Sequence, residues 1–83
     1  MTHVRVELYT ELKDIVCDVL ELEPEEVTAT SSFVDDHGID SLSIIALVGL
    51  CEKRYGIEIE EAQLKIMLTL DGVYQVVTEA KSI

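Results

Sequence analysis

Hydrophobic residues fall into a helical rhythm at Val4, Leu8, Leu12, Ile15, Val19 and Leu22, each three or four positions after the last. At 100° per residue they share one narrow stripe, which predicts an amphipathic first helix from Val4 that ends near Leu22 or just before. Glu7, Glu11, Lys13, Asp14, Asp18 and Glu21 take its other faces, and Pro24 blocks further growth. The rhythm lapses between residues 23 and 40. Acidic Glu25-Glu26 and a Thr/Ser cluster from Thr28 to Ser32 predict a long connection there, with Val27, Phe33 and Val34 as its anchors in the core. A loop of this length inside a small domain is functional or anchored.

Periodicity returns from Ser41 to Tyr55, now with two apolar faces. Ile44, Leu47, Val48, Cys51 and Tyr55 share a stripe expected to pack on the first helix. Leu42, Ile45, Ala46 and Gly49 lie opposite, with Lys53 at the far end. That second strip is a candidate docking surface; the competing reading is a central helix buried on most sides. Gly56 suits a left-handed helix stop, and Ile57-Glu58-Ile59 alternates like a short extended link. Glu60 to Met67 predicts a short third helix, with Leu64 and Met67 inward and Glu60, Glu61 and Lys65 outward. Thr69 can cap a last helix that has Asp71 in its first turn. Leu70, Val73, Tyr74 and Val77 form its inner stripe, and it should fray after Ala80. The pattern predicts an all-α fold: a small four-helix bundle, three long helices and one short third helix, with a long loop between helices one and two. Residues 1–83 make one domain with one small core.

Charge narrows the function. Seventeen acidic residues against six basic ones give a formal net charge of −11, which argues against nucleic acid as a ligand and for basic protein surfaces as partners. Lacking an apolar run long enough to span a bilayer or a signal-peptide pattern, the chain is expected in the cytoplasm, off the membrane, and as a monomer. Cys17 and Cys51 are too few for a metal cluster or disulfide scaffold. Cys51 is expected in the core and Cys17 on an outer face, both as free thiols.

The candidate chemistry gathers in Asp35-Asp36-His37-Gly38-Ile39-Asp40-Ser41-Leu42, where a polar loop hands over to the second helix. Gly38 permits the reversal, and Asp40 fits the N-cap, leaving Ser41 as the first helical residue. Its hydroxyl points outward at the positive end of a helix dipole, a favourable place for an attached phosphate. A hydrolase would need more. Ile39 and Ser43 stand where the glycines of Gly-x-Ser-x-Gly belong, and a triad of His37 with Asp36 or Asp40 would have to be built from one loop, whereas triads are assembled from distant segments. Calcium fares no better, since counting from Asp35 puts Ile39 at a ligand position. His37 is read as a solvent-exposed loop residue and His3 as part of a mobile terminus.

Gly38-Ile39-Asp40-Ser41-Leu42 resembles the Gly-x-Asp-Ser-Leu signature of acyl carrier proteins. Ser32-Phe33-Val34-Asp35-Asp36 before it, and Glu58-Ile59-Glu60-Glu61 after a helix of the expected length, extend the resemblance over nearly the whole chain. The resemblance implies a carrier, not an enzyme. A phosphopantetheinyl transferase would move 4'-phosphopantetheine from coenzyme A to Ser41, with Gly38, Asp40 and Leu42 shaping the attachment site. The arm's thiol would hold acyl groups as thioesters for acyltransferase, ketosynthase or acyl-activating enzymes. Cys51, Ile59, Leu64, Met67 and Leu70 are candidate lining for an acyl pocket between the later helices.

Carriers of primary fatty acid synthesis typically bear acidic residues along the helix after the serine, where this chain has Ser43 and Ala46, with Lys53 and Arg54 beyond. Docking should rest instead on Leu42, Ile45 and Gly49, with Asp35, Asp36, Asp40, Lys53 and Glu58 around them, as in a dedicated carrier of a polyketide or other specialised pathway. A peptidyl or aryl carrier is the near alternative, although His37-Gly38-Ile39-Asp40 lacks its Gly-Gly-His/Asp pattern. An unmodified acidic helical adaptor is the alternative from another class.

Overall fold

The computed structural model describes residues 6–82, so His3 and Val4 lie outside the described residues. Helix α1 runs Val6–Leu20. It stops before Leu22 because Glu21 turns left-handed at φ 55°, and the Leu22 amide then donates to the Cys17 carbonyl at 2.9 Å. Leu12, Val16 and Leu20 are its buried residues, while Leu8, Ile15, Val19 and Leu22 only flank the core. The inner face is thus rotated by roughly a quarter turn from the expected stripe. The rotation also draws Cys17 from the expected outer face to a half-buried place beside the core. Both thiols are free.

Helix α2, Ser41–Tyr55, has the expected bounds and the expected inner face of Ile44, Leu47, Val48 and Cys51. Gly56 ends it in left-handed geometry at φ 61°, its amide donating to the Glu52 carbonyl. Strand β1, Ile57–Glu58, follows and pairs antiparallel with β2, Lys81–Ser82. This pairing joins Ile57 to Ser82 and Glu58 to Lys81; the tail after the last helix is therefore held in a small strand pair rather than frayed. The third segment is a 3-10 helix, Glu61–Lys65. Its amide bonds close over three residues, Gln63 to Glu60 at 2.9 Å and Ile66 to Gln63 at 3.0 Å, the tighter winding usual in short pieces.

Helix α3, Leu70–Glu79, is capped as expected by Thr69, whose hydroxyl accepts the Gly72 amide at 3.0 Å. Gly72 is required here: a Cβ would meet the Ile66 carbonyl oxygen at 1.7 Å. Val76 joins Leu70, Val73 and Val77 on the buried side, while Tyr74 is half-buried. Two polar links fix α1 against its neighbours. Tyr55 donates to Glu11 Oε1 at 2.5 Å and Arg54 reaches the same carboxylate at 3.3 Å. Burial, reinforced by that carboxylate, pushes the Tyr55 phenol up to about 12. On the other side Tyr9 donates to Asp71 at 3.2 Å, its ring 5.5 Å from that of Tyr74. The described residues are thus mostly helical, with three α-helices, a 3-10 turn and one minimal strand pair.

Candidate functional site

The loop before α2 is held by short bonds among its own residues, side chain to backbone as well as backbone to backbone. Asp36 accepts the Ser32 amide at 2.6 Å, and the Ser32 hydroxyl accepts the Asp35 amide at 3.0 Å. These reciprocal bonds wind residues 33–37 into a compact turn, closed by Gly38 N to the Val34 carbonyl at 3.1 Å. Gly38 then turns left-handed at φ 66°, as a residue without Cβ readily does. Phe33 is fully buried, whereas its neighbour Val34, expected as an anchor, is 41% exposed. Two adjacent residues of a tight turn cannot both point inward, and the larger ring occupies the core. Val27 is buried as expected.

Two main-chain bonds tie this loop to the far side of the site: Phe33 N to the Leu68 carbonyl at 2.8 Å, and Asp71 N to the Ala29 carbonyl at 3.0 Å. His37 is half-buried rather than solvent-exposed. Its Nε2 lies 3.0 Å from the Ser31 hydroxyl, and Ser31 is itself locked to Thr28 by paired bonds near 3 Å. That imidazole braces the loop through the Ser31 hydroxyl.

Asp40 is the N-cap of α2 in extended geometry, and its Oδ1 accepts the Ser43 amide at 3.0 Å. That bond holds its carboxyl below the usual range. Ser41 follows as the first helical residue with its side chain exposed. The first-turn amides and the helix dipole make this corner favourable for an anion. Beside Ser41 lies an open trough of about 210 Å³, lined by Val34, Ile44, Ile45, Leu64, Lys65 and Leu68. A hydroxyl with no activating base among the described residues, a helix N-terminus and Lys65 on the same trough fit a phosphodiester at Ser41, and the apolar trough fits the methylene-rich arm or its cargo.

The other candidate residues divide by place. Leu42 is 74% and Ile45 56% exposed, and Gly49 and Lys53 are exposed along the same side of α2. Asp35 and Glu58 are exposed, while the Asp36 carboxylate is engaged in holding the turn. Of the candidate pocket residues, Leu64 borders the trough, whereas Cys51, Ile59, Met67 and Leu70 are packed in the core. Burial alone pushes the Cys51 thiol up to about 11. Sequence reasoning missed Lys65 and Leu68 as neighbours of Ser41. Their signal was weak, because the main-chain tie from Phe33 to Leu68 that brings them there leaves no mark in side-chain pattern.

The family model described as "Phosphopantetheine attachment site" matches residues 10–77. Relatives include "Polyketide-8 synthase acyl carrier protein 1" of Streptomyces avermitilis, 46% identical over 84% of this chain and 83% of the relative. "Polyketide-8 synthase acyl carrier protein 2" of the same organism is 37% identical over 82% and 78%. An "Acyl carrier protein" of Rhodococcus erythropolis is 38% identical over 88% and 80%. The class is thereby a carrier domain that serves enzymes without being one, its prosthetic group 4'-phosphopantetheine. Within that class the chain belongs to the acyl carrier protein family, which holds acyl intermediates for other enzymes.

Proposed function

We propose that Ser41 is the residue that bears the phosphopantetheine arm, and that the carrier serves a polyketide or similar specialised pathway. The observation that carries this reading is the exposed Ser41 hydroxyl as the first residue of α2, behind an Asp40 cap and beside an apolar trough. Gly38 sets the approach of the chain and Leu42 borders the attachment point; when bound, the arm supplies a thiol for thioester formation. Lys65 and the first-turn amides would offset the phosphate's charge, while Val34, Ile45 and Leu68 would shelter the arm or the first carbons of its cargo. Tethering keeps that cargo at high effective concentration near each enzyme.

The polyketide assignment draws on the two Streptomyces relatives and on Ser43 and Ala46 standing where acidic residues mark primary fatty acid carriers. In this reading residues 1–83 form a single four-helix carrier domain whose 3-10 turn stands in for the short third helix. A deeper acyl pocket would open between Cys51, Ile59, Leu64, Met67 and Leu70 only by separating residues now packed together. The chain acts in the cytoplasm as a monomer. A phosphopantetheinyl transferase loads it, and acyltransferase, ketosynthase or acyl-activating enzymes dock along Leu42, Ile45, Gly49 and Lys53, with Asp35, Asp36 and Glu58 at the rim.

The test is incubation with coenzyme A and a broad-specificity transferase, followed by intact mass. Wild type should gain one phosphopantetheine, and Ser41→Ala should gain none. Absence of any gain on wild type would remove the carrier reading, and a gain on Ser41→Ala would move the attachment site.

A further inference from the structure

A second surface lies away from Ser41, in an open groove of about 780 Å³ between α1 and α2. Val6, Ile15 and Leu50 supply its apolar lining, with Val6 67% and Leu50 40% exposed. Glu7, Glu11, Asp14 and Asp18 border it, and their spacing of four, three and four residues places them along one face of α1. Like charges at such spacings oppose helix formation, so the row is a burden on the isolated domain. Among the described residues Arg54 answers it, pairing with Glu11 at 3.3 Å. Glu7, Asp14 and Asp18 have no ion-pair partner among the described residues.

We infer that this groove is a docking site for a basic amphipathic helix of a partner protein, whose apolar side covers Ile15 and Leu50 and whose lysines or arginines meet Glu7, Asp14 and Asp18. Charge selects this occupant. A second copy of the chain would bring its own acidic row and a net charge of −11 against the first, and like-charge contacts disfavour association. The groove's place on α2 also matters. Leu50 follows Ser41 by nine residues, which at 3.6 residues per turn sets the two on opposite sides of α2. A partner held in the groove therefore leaves the Ser41 side uncovered. It can keep the domain beside a synthase while successive enzymes use the other side, raising their effective concentration.

The probe is a synthetic helical peptide of about 18 residues, long enough to span the acidic row, with leucine on one side and lysine on the other. It is titrated into isotope-labelled protein while amide shifts are recorded, and its affinity is measured by calorimetry at low and moderate salt. The wild-type shifts should centre on residues 6–18 and on Leu50 and Arg54, and binding should weaken with salt. The triple variant Glu7→Lys, Asp14→Lys, Asp18→Lys should lose about tenfold or more in affinity, and Leu50→Ser about threefold. The charge-matched control Glu25→Lys, Glu61→Lys, Glu79→Lys should lose less than about twofold. Equal losses in the two triple variants, or wild-type shifts centred on Asp35 to Ile45, would overturn the proposal. A wild-type dimer in sedimentation that Leu50→Ser dissociates would overturn it in favour of a second copy. Because the shift map is read on wild type, the proposal stays testable if a variant folds poorly.

Discussion

The two faces of α2 carry the same kind of residue and meet opposite fates. Leu47 is fully buried, whereas Ile45, two positions away, is 56% exposed. Apolar character runs nearly round this helix, so its own sequence does not decide which side is core. Its neighbours do: the other helices and the buried loop anchor Phe33 cover Ile44, Leu47, Val48 and Cys51, while the side bearing Leu42, Ile45 and Gly49 is left to solvent. The proposed docking of enzymes on this uncovered side would account for hydrophobic residues that bring little benefit to the isolated fold.

The sharpest way to break this comparison is Leu47→Ala. Emptying that buried site should cost about 2–5 kcal/mol, and the melting temperature followed by circular dichroism should fall by about 10 °C or more in a domain of this size. A small loss would mean the inner face is less tightly covered than it looks. Thiol reactivity asks the same question without a substitution. Cys51 lies on the covered face with its pKa pushed up to about 11, so iodoacetamide at pH 8 should label half-buried Cys17 first. Protection of Cys51 by about a hundredfold, read by peptide mass mapping, is the expected scale for a site reached only by opening the core.

On the open side, Ile45→Glu should shift stability by no more than about 0.5 kcal/mol while slowing loading or acyl transfer. A collapsed fold would show that Ile45 is core after all; normal transfer would move recognition to the Asp35 to Asp40 loop. The smallest expected effect is in acid. Asp40 accepts the Ser43 amide, which lowers its carboxyl below the ordinary 3.8. Its contribution is therefore complete above that ordinary value and disappears as pH falls through the lower, folded value. Asp40→Asn keeps an N-cap acceptor without titrating, so melting curves at neutral and acid pH should differ less in the variant than in wild type.

How far the sequence could be read depended on how much context each element needs. Helix α2 was legible to the residue because its limits are set by local chemistry, an Asp40 cap at one end and a left-handed Gly56 at the other. The same was true of Thr69 before α3. Ser41 was legible as a candidate for the same reason. The face of α1 was not, because Ile15 and Val16, and Val19 and Leu20, are adjacent apolar pairs that support two stripes. Which stripe becomes buried is settled by packing on α2 and α3. The 3-10 winding of Glu61–Lys65 differs from an α-turn by a single hydrogen-bond step, invisible in five residues. Strands of two residues, Ile57–Glu58 and Lys81–Ser82, are too short for alternation to announce a pairing across more than twenty positions of chain.

The main-chain ties from Phe33 to Leu68 and from Asp71 to Ala29 have a consequence for how such a protein can diversify. An amide donor is common to every amino acid except proline, so these two ties do not depend on the exposed side chains of the loop that take no part in holding it. Thr30, Val34 and Asp35, all exposed, can be rewritten to suit new enzymes while the register of the loop is inherited unchanged. A library randomised at those three positions should keep its fold in most members, and its variation should appear as altered choice of partner.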